Sequence, residues 1–289
     1  MSQPGSTDRT LSGRSRVAGV IGWPVSHSRS PRLHGYWLRR HGIDGAYIPL
    51  PVRPADFAAA LLALPKMGFV GANVTVPHKE AALATVDRAN AEARRIGAVN
   101  TVIVAEDGAL EGRNTDGFGF IENLRGSIQD WQATAGPAVI IGAGGAARAI
   151  AVALLDAGAP ALRLVNRTVE RAERLAADIG GPARVYGWAD RVMALADAAL
   201  LVNASALGMT GESPLELDLE GLPTAAVVND VVYSPLETQL LAAARARGNR
   251  TVDGLGMLLH QARPGFAAWF GVEPEVTPEL RRFVLDMPN

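Results

Sequence analysis

The sequence predicts an α/β protein of two domains, and three observations carry that prediction. With 289 residues and 48% hydrophobic content, the chain is long enough for one large or two ordinary domains and can fill their cores. Between Val139 and Arg247 apolar strands alternate with helices, the pattern of a doubly wound parallel sheet. After Thr251-Val252 two helices, Leu255 to Phe270 and Thr277 to Met287, follow with no strand between them. Such helices fit a return to a separate, earlier domain.

Composition narrows the function. The 28 basic and 29 acidic residues leave a net charge of -1, so no basic field invites nucleic acid and any anion site must be local. The absence of cysteine excludes disulfides and thiolate chemistry and suits a cytoplasmic location. No apolar run approaches the roughly 20 residues of a membrane helix, so neither a membrane nor nucleic acid is an expected partner. Residues 1–16, rich in Ser, Gly, Thr and Arg and without the apolar core of a signal peptide, are expected to form a disordered arm.

The elements follow in order. Val17 to Ile21 reads as a strand, and the loop from Gly22 leads to a helix with Ser30 as N-cap and Pro31 as first helical residue, ended by Gly42. Ala46 to Leu50 is a second strand, Pro54 to Leu64 a helix and Gly71 to Val76 a third strand. Pro77 opens a helix to Thr85, and a short one covers Ala89 to Ile96. Asn100 to Val104 and Leu110 to Arg113 flank Glu106-Asp-Gly108 as a hairpin or a turn between edge strands. Asn114-Thr-Asp-Gly117 breaks the pattern, Phe118 to Leu124 begins a helix, and the first domain is expected to end here.

Then comes Val139-Ile-Ile-Gly-Ala-Gly-Gly-Ala-Ala-Arg-Ala-Ile150, a buried strand end running into a helix. Gly142, Gly144 and Ala147 fit the G-x-G-x-x-G/A spacing of a Rossmann-type dinucleotide site in its required strand-to-helix context. The first glycine permits a sharp turn, the second lets backbone approach a pyrophosphate, and the small third residue packs helix on strand. Free N–H groups and the helix dipole then face the phosphates. Strands at Leu162 to Val165, Arg184 to Tyr186, Ala199 to Val202 and Ala226 to Asn229 complete this domain, with helices Thr168 to Ile179 and Pro235 to Arg247. Where an acidic residue would bond the ribose of NAD, the chain has Asn166-Arg-Thr168, with Arg171 one turn on. Guanidinium groups there suit a 2′-phosphate, so NADP is the expected cofactor; the alternative is that Arg167 and Arg171 merely solvate a helix start. The expected division is residues 17–117 with 254–289 for substrate binding and catalysis, and 118–253 for NADP.

In the first domain Asn73 and Thr75 lie two apart on a strand and leave the same face. Lys79 follows in the first turn of a helix, where the dipole disfavours a charged ammonium, as suits a group that exchanges a proton. Standing alone it would read as a solvated surface lysine. Asp116 could be a reacting carboxylate or the N-cap of the helix at Gly117. Ser26 and Ser28 alternate, so their hydroxyls can meet one anion near the helix that Pro31 begins. His27, His34 and His41 are spaced by seven, but the first lies in a loop and no acidic or thiolate cluster joins them, which argues against a metal site.

Assembled, these residues resemble the shikimate dehydrogenase family from about Val17 to Trp269. The matching stretches are Ser26-His-Ser-Arg-Ser-Pro31, Asn73-Val-Thr-Val-Pro-His-Lys-Glu80, Gly97-Ala-Val-Asn-Thr101, Gly112-Arg-Asn-Thr-Asp-Gly117, Gly142-Ala-Gly-Gly-Ala-Ala147, Asn166-Arg-Thr168 and Asp253-Gly-Leu-Gly-Met257 with Gln261. The resemblance implies reversible, NADP-dependent interconversion of shikimate and 3-dehydroshikimate on the route to chorismate and aromatic amino acids, by a monomer or homodimer. It implies Ser26 and Ser28 on the substrate carboxylate, and Asn73, Thr75, Asn100 and Gln261 on its hydroxyls. Lys79 and Asp116 would form the pair at the reacting carbon, and Tyr233, in Val232-Tyr-Ser-Pro235, would stand on the substrate side. Gly142, Gly144, Gly145 and Ala146 would meet the pyrophosphate, and Asn166, Arg167, Thr168 and Arg171 the adenosine phosphate. Gly208 and Met209, in Asn203-Ala-Ser-Ala-Leu-Gly-Met209, and Gly254 would line the rest of the cofactor site. Gly35 departs from the asparagine usual in the family and is expected to be a buried packing position. Ser28, rather than threonine, leans toward shikimate over the alternative, an NAD-dependent quinate/shikimate dehydrogenase.

Overall fold

The computed structural model describes residues 11–286. They divide into two compact units, one of residues 11–89, 99–112 and 263–286, the other of 90–98 and 113–262. Residues 90–98, 113–117 and 254–262, expected with the first domain, thus group with the second unit.

In the first unit β1 (Arg16–Gly22), α1 (Ser30–Arg40), β2 (Gly45–Pro51), α2 (Phe57–Ala63), β3 (Phe69–Val74), α3 (Lys79–Thr85) and β4 (Arg88–Ala89) come first. After α4 (Ala91–Ile96), which belongs to the second unit, β5 (Thr101–Val104) and β6 (Leu110–Arg113) complete the sheet in the order β2-β1-β3-β5-β6-β4. β1 is parallel to both β2 and β3, β5 is antiparallel to β3, and β4 runs parallel to β6. The β5–β6 connection therefore lies inside the sheet, because the short strand β4, read from sequence as a helix start, forms the edge. Trp37, Phe57, Leu33 and Leu61 are fully buried here together with Phe266 and Phe270.

The arm read as disordered is ordered from residue 11 onward, and residues 1–10 lie outside the described part. Ser12 and Ser15 donate their hydroxyls to the Asp44 carboxylate. Arg16 opens β1, and its guanidinium donates to the carbonyls of Phe270 at 2.8 Å and Trp269 at 3.2 Å. These partners lie far off in sequence, where composition cannot register them.

In the second unit α5 (Asp116–Ser127) precedes β7 (Ala138–Ile141), α6 (Gly145–Asp156), β8 (Leu162–Asn166), α7 (Val169–Ile179), β9 (Ala183–Gly187), β10 (Leu200–Asn203), β11 (Val227–Asp230), α8 (Gln239–Ala246) and β12 (Arg250–Val252). The strand order is β12-β11-β10-β7-β8-β9, and every pairing is parallel. Alternation sends Ala138 and Ile140 into one core with Ile150, Leu154 and Leu175, and Val139 and Ile141 into another with Leu240 and Leu241. α9 (Leu255–Phe270) and α10 (Pro278–Leu285) end the described chain.

The grouping of 254–262 with the second unit has a local cause. A Cβ on Gly119 of α5 would run into the backbone of Met257 and Gln261 of α9, and one on Gly256 into the Asn123 side chain. Two glycines thus let α5 and α9 meet at backbone distance, a contact invisible to a reading of helix periodicity. Among the described residues no helix is long and apolar enough to cross a membrane.

Candidate active site

Each sheet has a point where the strand order reverses, between β1 and β3 in the first unit and between β7 and β10 in the second. Loops leaving parallel strands diverge there and open a crevice at the carboxyl ends.

In the first unit six of the residues singled out from sequence lie at that end of the sheet. Ser26, exposed, and Ser28, half-buried, lie in the loop after β1; Asn73 and Thr75 lie at the end of β3; Lys79 opens α3; and Asn100 precedes β5, whose Thr101 pairs with Asn73. Ser30 is not the N-cap but the first helical residue of α1, and Ser28 Oγ accepts from its N–H at 3.3 Å. The helix expected from Pro77 begins at Lys79, since His78 N–H closes a turn onto the Thr75 carbonyl at 2.9 Å. The Lys79 carbonyl accepts from Val99 N–H at 2.9 Å, which holds the start of α3 beside the approach to β5.

Asn73 is the centre of a buried network. Tyr47 Oη donates to its Oδ1 at 2.6 Å, while its Nδ2 donates to the Asn100 carbonyl at 3.2 Å and Thr101 Oγ1 at 3.1 Å. Thr101 Oγ1 donates onward to Asn100 Oδ1 at 2.9 Å. Both amide hydrogens of Asn73 are engaged, so toward a ligand it can offer only the remaining lone pair of Oδ1 and read a hydroxyl as donor. Under Tyr47, the His34 ring stacks at 3.9 Å and 6°. Burial lowers the His34 pKa to about 3, Asn73 offsetting part of the shift, and raises the Tyr47 phenol well above its ordinary value. Tyr47 escaped the sequence reading, and His34 entered it only as a rejected metal ligand, because both meet Asn73 only through the fold. Among the described residues no cluster of potential metal ligands occurs, and His34 sits in an aromatic pocket. Gly35 is not a buried packing position: a Cβ there would approach only the flexible end of Arg39.

In the second unit Gly142 has φ +113°, a left-handed-side conformation costly for other residues, and a Cβ on it would stand 3.0 Å from the Ala204 carbonyl. Gly144 caps α6, and a Cβ on it would meet nothing within 4 Å, so open space adjoins the N-terminus of α6, whose first N–H groups belong to Gly145 and Ala146. Ala147 is fully buried against the sheet. At the end of β8, Asn166 Nδ2 donates to the Thr168 carbonyl at 2.8 Å, and Arg167, Thr168 and Arg171 are exposed. Gly142, Asn166, Arg167, Trp188, Ser205 and Leu207 line one pocket. A glycine turn with bare N–H groups, open space over it and a guanidinium on the same pocket fits a dinucleotide carrying an extra phosphate.

Asp116 is buried at the first position of α5, not its N-cap; Asn114 Oδ1 accepts from its N–H at 3.0 Å, and Asn114 Nδ2 donates to the Ala98 carbonyl at 3.0 Å. Gln261 lies on α9 where Gly119 of α5 packs against it, so Asp116 and Gln261 sit on neighbouring helices of one unit. Gly208, with φ +88°, and Met209, exposed, follow β10, and half-buried Tyr233 follows β11. Gly254 leaves no room for a Cβ against the backbone of Val231 and Val232, beside the Tyr233 loop. The helix expected from Pro235 starts at Gln239, where the Thr238 hydroxyl accepts from Leu241 N–H at 3.4 Å.

Comparison with known proteins places these features in context. Residues 20–102 match the model of the shikimate dehydrogenase substrate binding domain, and residues 127–208 that of shikimate / quinate 5-dehydrogenase. The chain is 64% identical to the shikimate dehydrogenase (NADP(+)) of Paramagnetospirillum magneticum, over 95% of this chain and 100% of that one. It resembles the crystal structure of shikimate 5-dehydrogenase from Thermus thermophilus in complex with NADP(H) and shikimate, with TM-score 0.84, 38% identity, and coverage of 93% of this chain and 98% of that one. It also resembles quinate dehydrogenase from Corynebacterium glutamicum in complex with NAD, with TM-score 0.88, 32% identity, and coverage of 94% and 99%.

Proposed function

The chain belongs to the shikimate dehydrogenase family, and on that premise we propose which of its residues carry the reaction. The activity is the reversible, NADPH-dependent reduction of 3-dehydroshikimate to shikimate, an oxidoreductase step on the route to aromatic amino acids. NADP is the cofactor and, when bound, supplies or accepts the hydride at nicotinamide C4. In our reading Gly142, Gly144, Gly145 and Ala146 hold the pyrophosphate, and Asn166, Arg167, Thr168 and Arg171 the adenosine phosphate. Gly208, Met209 and Gly254 form the nicotinamide side. Ser26 and Ser28 bind the substrate carboxylate, and Asn73, Thr75, Asn100, Gln261 and Tyr233 the rest of the substrate. The protein works in the cytoplasm.

Lys79 and Asp116 are the catalytic residues of this reading. As C3 of the substrate gains hydride, negative charge develops on its carbonyl oxygen. The Lys79 ammonium stabilises that charge more in the transition state than in the ground state and delivers the proton that completes the hydroxyl. In the reverse direction Lys79 takes the proton back, and Asp116 orients the hydroxyl. The observation that carries this assignment is the clustering of Ser28, Asn73, Thr75, Lys79 and Asn100 at one end of one sheet. The test is Lys79→Ala, followed by NADPH formation at 340 nm with shikimate as sole substrate. We expect kcat to fall by about 10²–10⁴-fold with little change in KM for shikimate. Equal losses in both, or no loss, would remove Lys79 from the chemistry.

A further inference from the structure

A wholly buried carboxylate that the reaction does not use sits at the end of β11. Asp230 gathers three donors from separate points of the chain: Asn203 Nδ2 at 3.0 Å and Val232 N–H at 3.0 Å on Oδ1, and Thr238 Oγ1 at 2.7 Å on Oδ2. Burial raises its pKa. None of its partners is a cation, and a buried charge answered only by neutral donors is expensive to keep. A carboxylate accepts all three at once, whereas an asparagine keeps one oxygen for Asn203 and Val232 and turns an amide nitrogen toward Thr238, whose hydroxyl must then rotate from donor to acceptor.

The bonds run on from Asp230 into two loops. Asn203 Nδ2 also donates to the Leu207 carbonyl at 2.9 Å, and its Oδ1 accepts from Ser205 N–H at 3.1 Å and Ser205 Oγ at 2.7 Å. Ser205 Oγ in turn accepts from Leu207 N–H at 3.2 Å, so the turn that delivers Gly208 and Met209 is fixed from beneath. On the other side, Val232 N–H and Thr238 bracket Tyr233, and Thr238 also caps α8. The loops meet directly through Val231 N–H to the Asn203 carbonyl at 3.0 Å and Thr210 N–H to the Ser234 carbonyl at 2.7 Å.

We propose that Asp230 is a positioning residue for hydride transfer, holding the Gly208–Met209 turn and the Tyr233 loop in one arrangement without touching substrate or cofactor. The proposal rests on the assignment of Gly208 and Met209 to the nicotinamide side. It separates two properties of the cofactor site: Asn166, Arg167 and Arg171, assigned to the adenosine phosphate, stand at β8 and α7 and meet the Asp230 network only at the pocket rim through Ser205 and Leu207, whereas the Gly208–Met209 turn hangs from that network.

The experiment uses the full chain and four variants: Asp230→Asn, Thr238→Val, Thr238→Ser and Met209→Ala. For each, kcat and KM for NADPH are measured, together with the deuterium isotope effect from C4-deuterated NADPH and inhibition by adenosine 2′,5′-bisphosphate, which reaches only the adenosine end. Asp230→Asn and Thr238→Val are expected to lower kcat by about tenfold or more and raise the isotope effect, because a misplaced ring slows the transfer itself. Inhibition by the bisphosphate should stay within about twofold of the parent, and Thr238→Ser, which keeps the hydroxyl, should restore kcat. A fall in kcat matched by weaker bisphosphate binding, with the isotope effect unchanged, assigns Asp230 to folding alone and overturns the proposal. So does full activity in Thr238→Val, which carries the test if Asp230→Asn does not fold. If Met209→Ala changes nothing, the nicotinamide assignment falls and the proposal with it; if Met209→Ala alters the isotope effect and the other variants do not, the proposal alone falls.

Discussion

Buried His34 makes the stability of the first unit sensitive to mild acid, and the size of the effect follows from its surroundings. The ring is wholly inaccessible, stacked on Tyr47 and edged by Trp37, and the polar influence of Asn73 offsets only part of the cost of burial. Burial lowers its pKa from 6.5 to about 3, so the folded chain keeps the ring neutral while the unfolded chain protonates it below pH 6.5. Stability from this group is complete above pH 6.5 and is lost progressively as pH falls from 6.5 toward 3. The full loss is about 5 kcal/mol, and about 2 kcal/mol of it is gone by pH 5. His34→Phe keeps a ring on Tyr47, removes the titration and orphans no donor, so it isolates the effect. Urea unfolding of parent and variant at pH 7.5, 6.5, 5.5 and 5.0, at constant ionic strength, reads it as a difference of midpoints. The parent should lose about 2 kcal/mol relative to the variant between pH 7.5 and 5.0. A difference independent of pH would mean that His34 accepts a proton in the folded state and that the buried, neutral ring is wrong.

Two further predictions address the second unit. Replacing Arg167 and Arg171 by Ala removes charge-assisted contacts of about 1.5–3 kcal/mol to a 2′-phosphate. KM for NADPH should then rise about 10–100-fold while KM for NADH moves by no more than about twofold; an equal rise for both cofactors would show that the arginines do not read the phosphate. Gly254→Ala drives a Cβ into the backbone of Val231 and Val232 and should destabilise by about 1–3 kcal/mol, seen as a lower Tm. Gly126→Ala, at an exposed position of α5 with nothing within 4 Å, should raise Tm instead, and the same sign for both would refute the packing argument.

What the sequence shows best is chemistry written in neighbouring residues. The strand-to-helix turn at Gly142 and Gly144 is legible because its geometry and its spacing are both local, and Asn166 and Arg167 follow from it at a known distance. Lys79 is legible as a helix opener, although Pro77 suggested a start two residues too early. The limits appear where a contact closes over a long stretch of chain. Tyr47 reaches Asn73 across 26 residues and Asn203 reaches Asp230 across 27, and no periodicity marks either pair. The placement of Gln261 with Asp116 turns on Gly119, a glycine that looks unremarkable in a helix until the backbone of α9 is set against it.

Those long-range bonds explain how exposed groups can do exact work. Loops at the carboxyl ends of strands carry the chemistry, and loops are also where local stability is lowest. A side chain such as Met209, 41% exposed, gains little positional restraint from its own packing. Restraint has to come from below, and in each unit a buried polar residue at a strand end provides it. Asn73 ties the end of β3 to β2 through Tyr47 and to β5 through Thr101; Asp230 ties the end of β11 to β10 through Asn203 and to α8 through Thr238. Both are satisfied by donors or acceptors from segments the chain reaches separately, so neither arrangement can form until the surrounding sheet has formed. Because each network lies beneath a loop and not beneath the remote binding groups, substitutions at these two positions should disturb the geometry of catalysis before they disturb the affinity of either unit for the remote parts of its ligand.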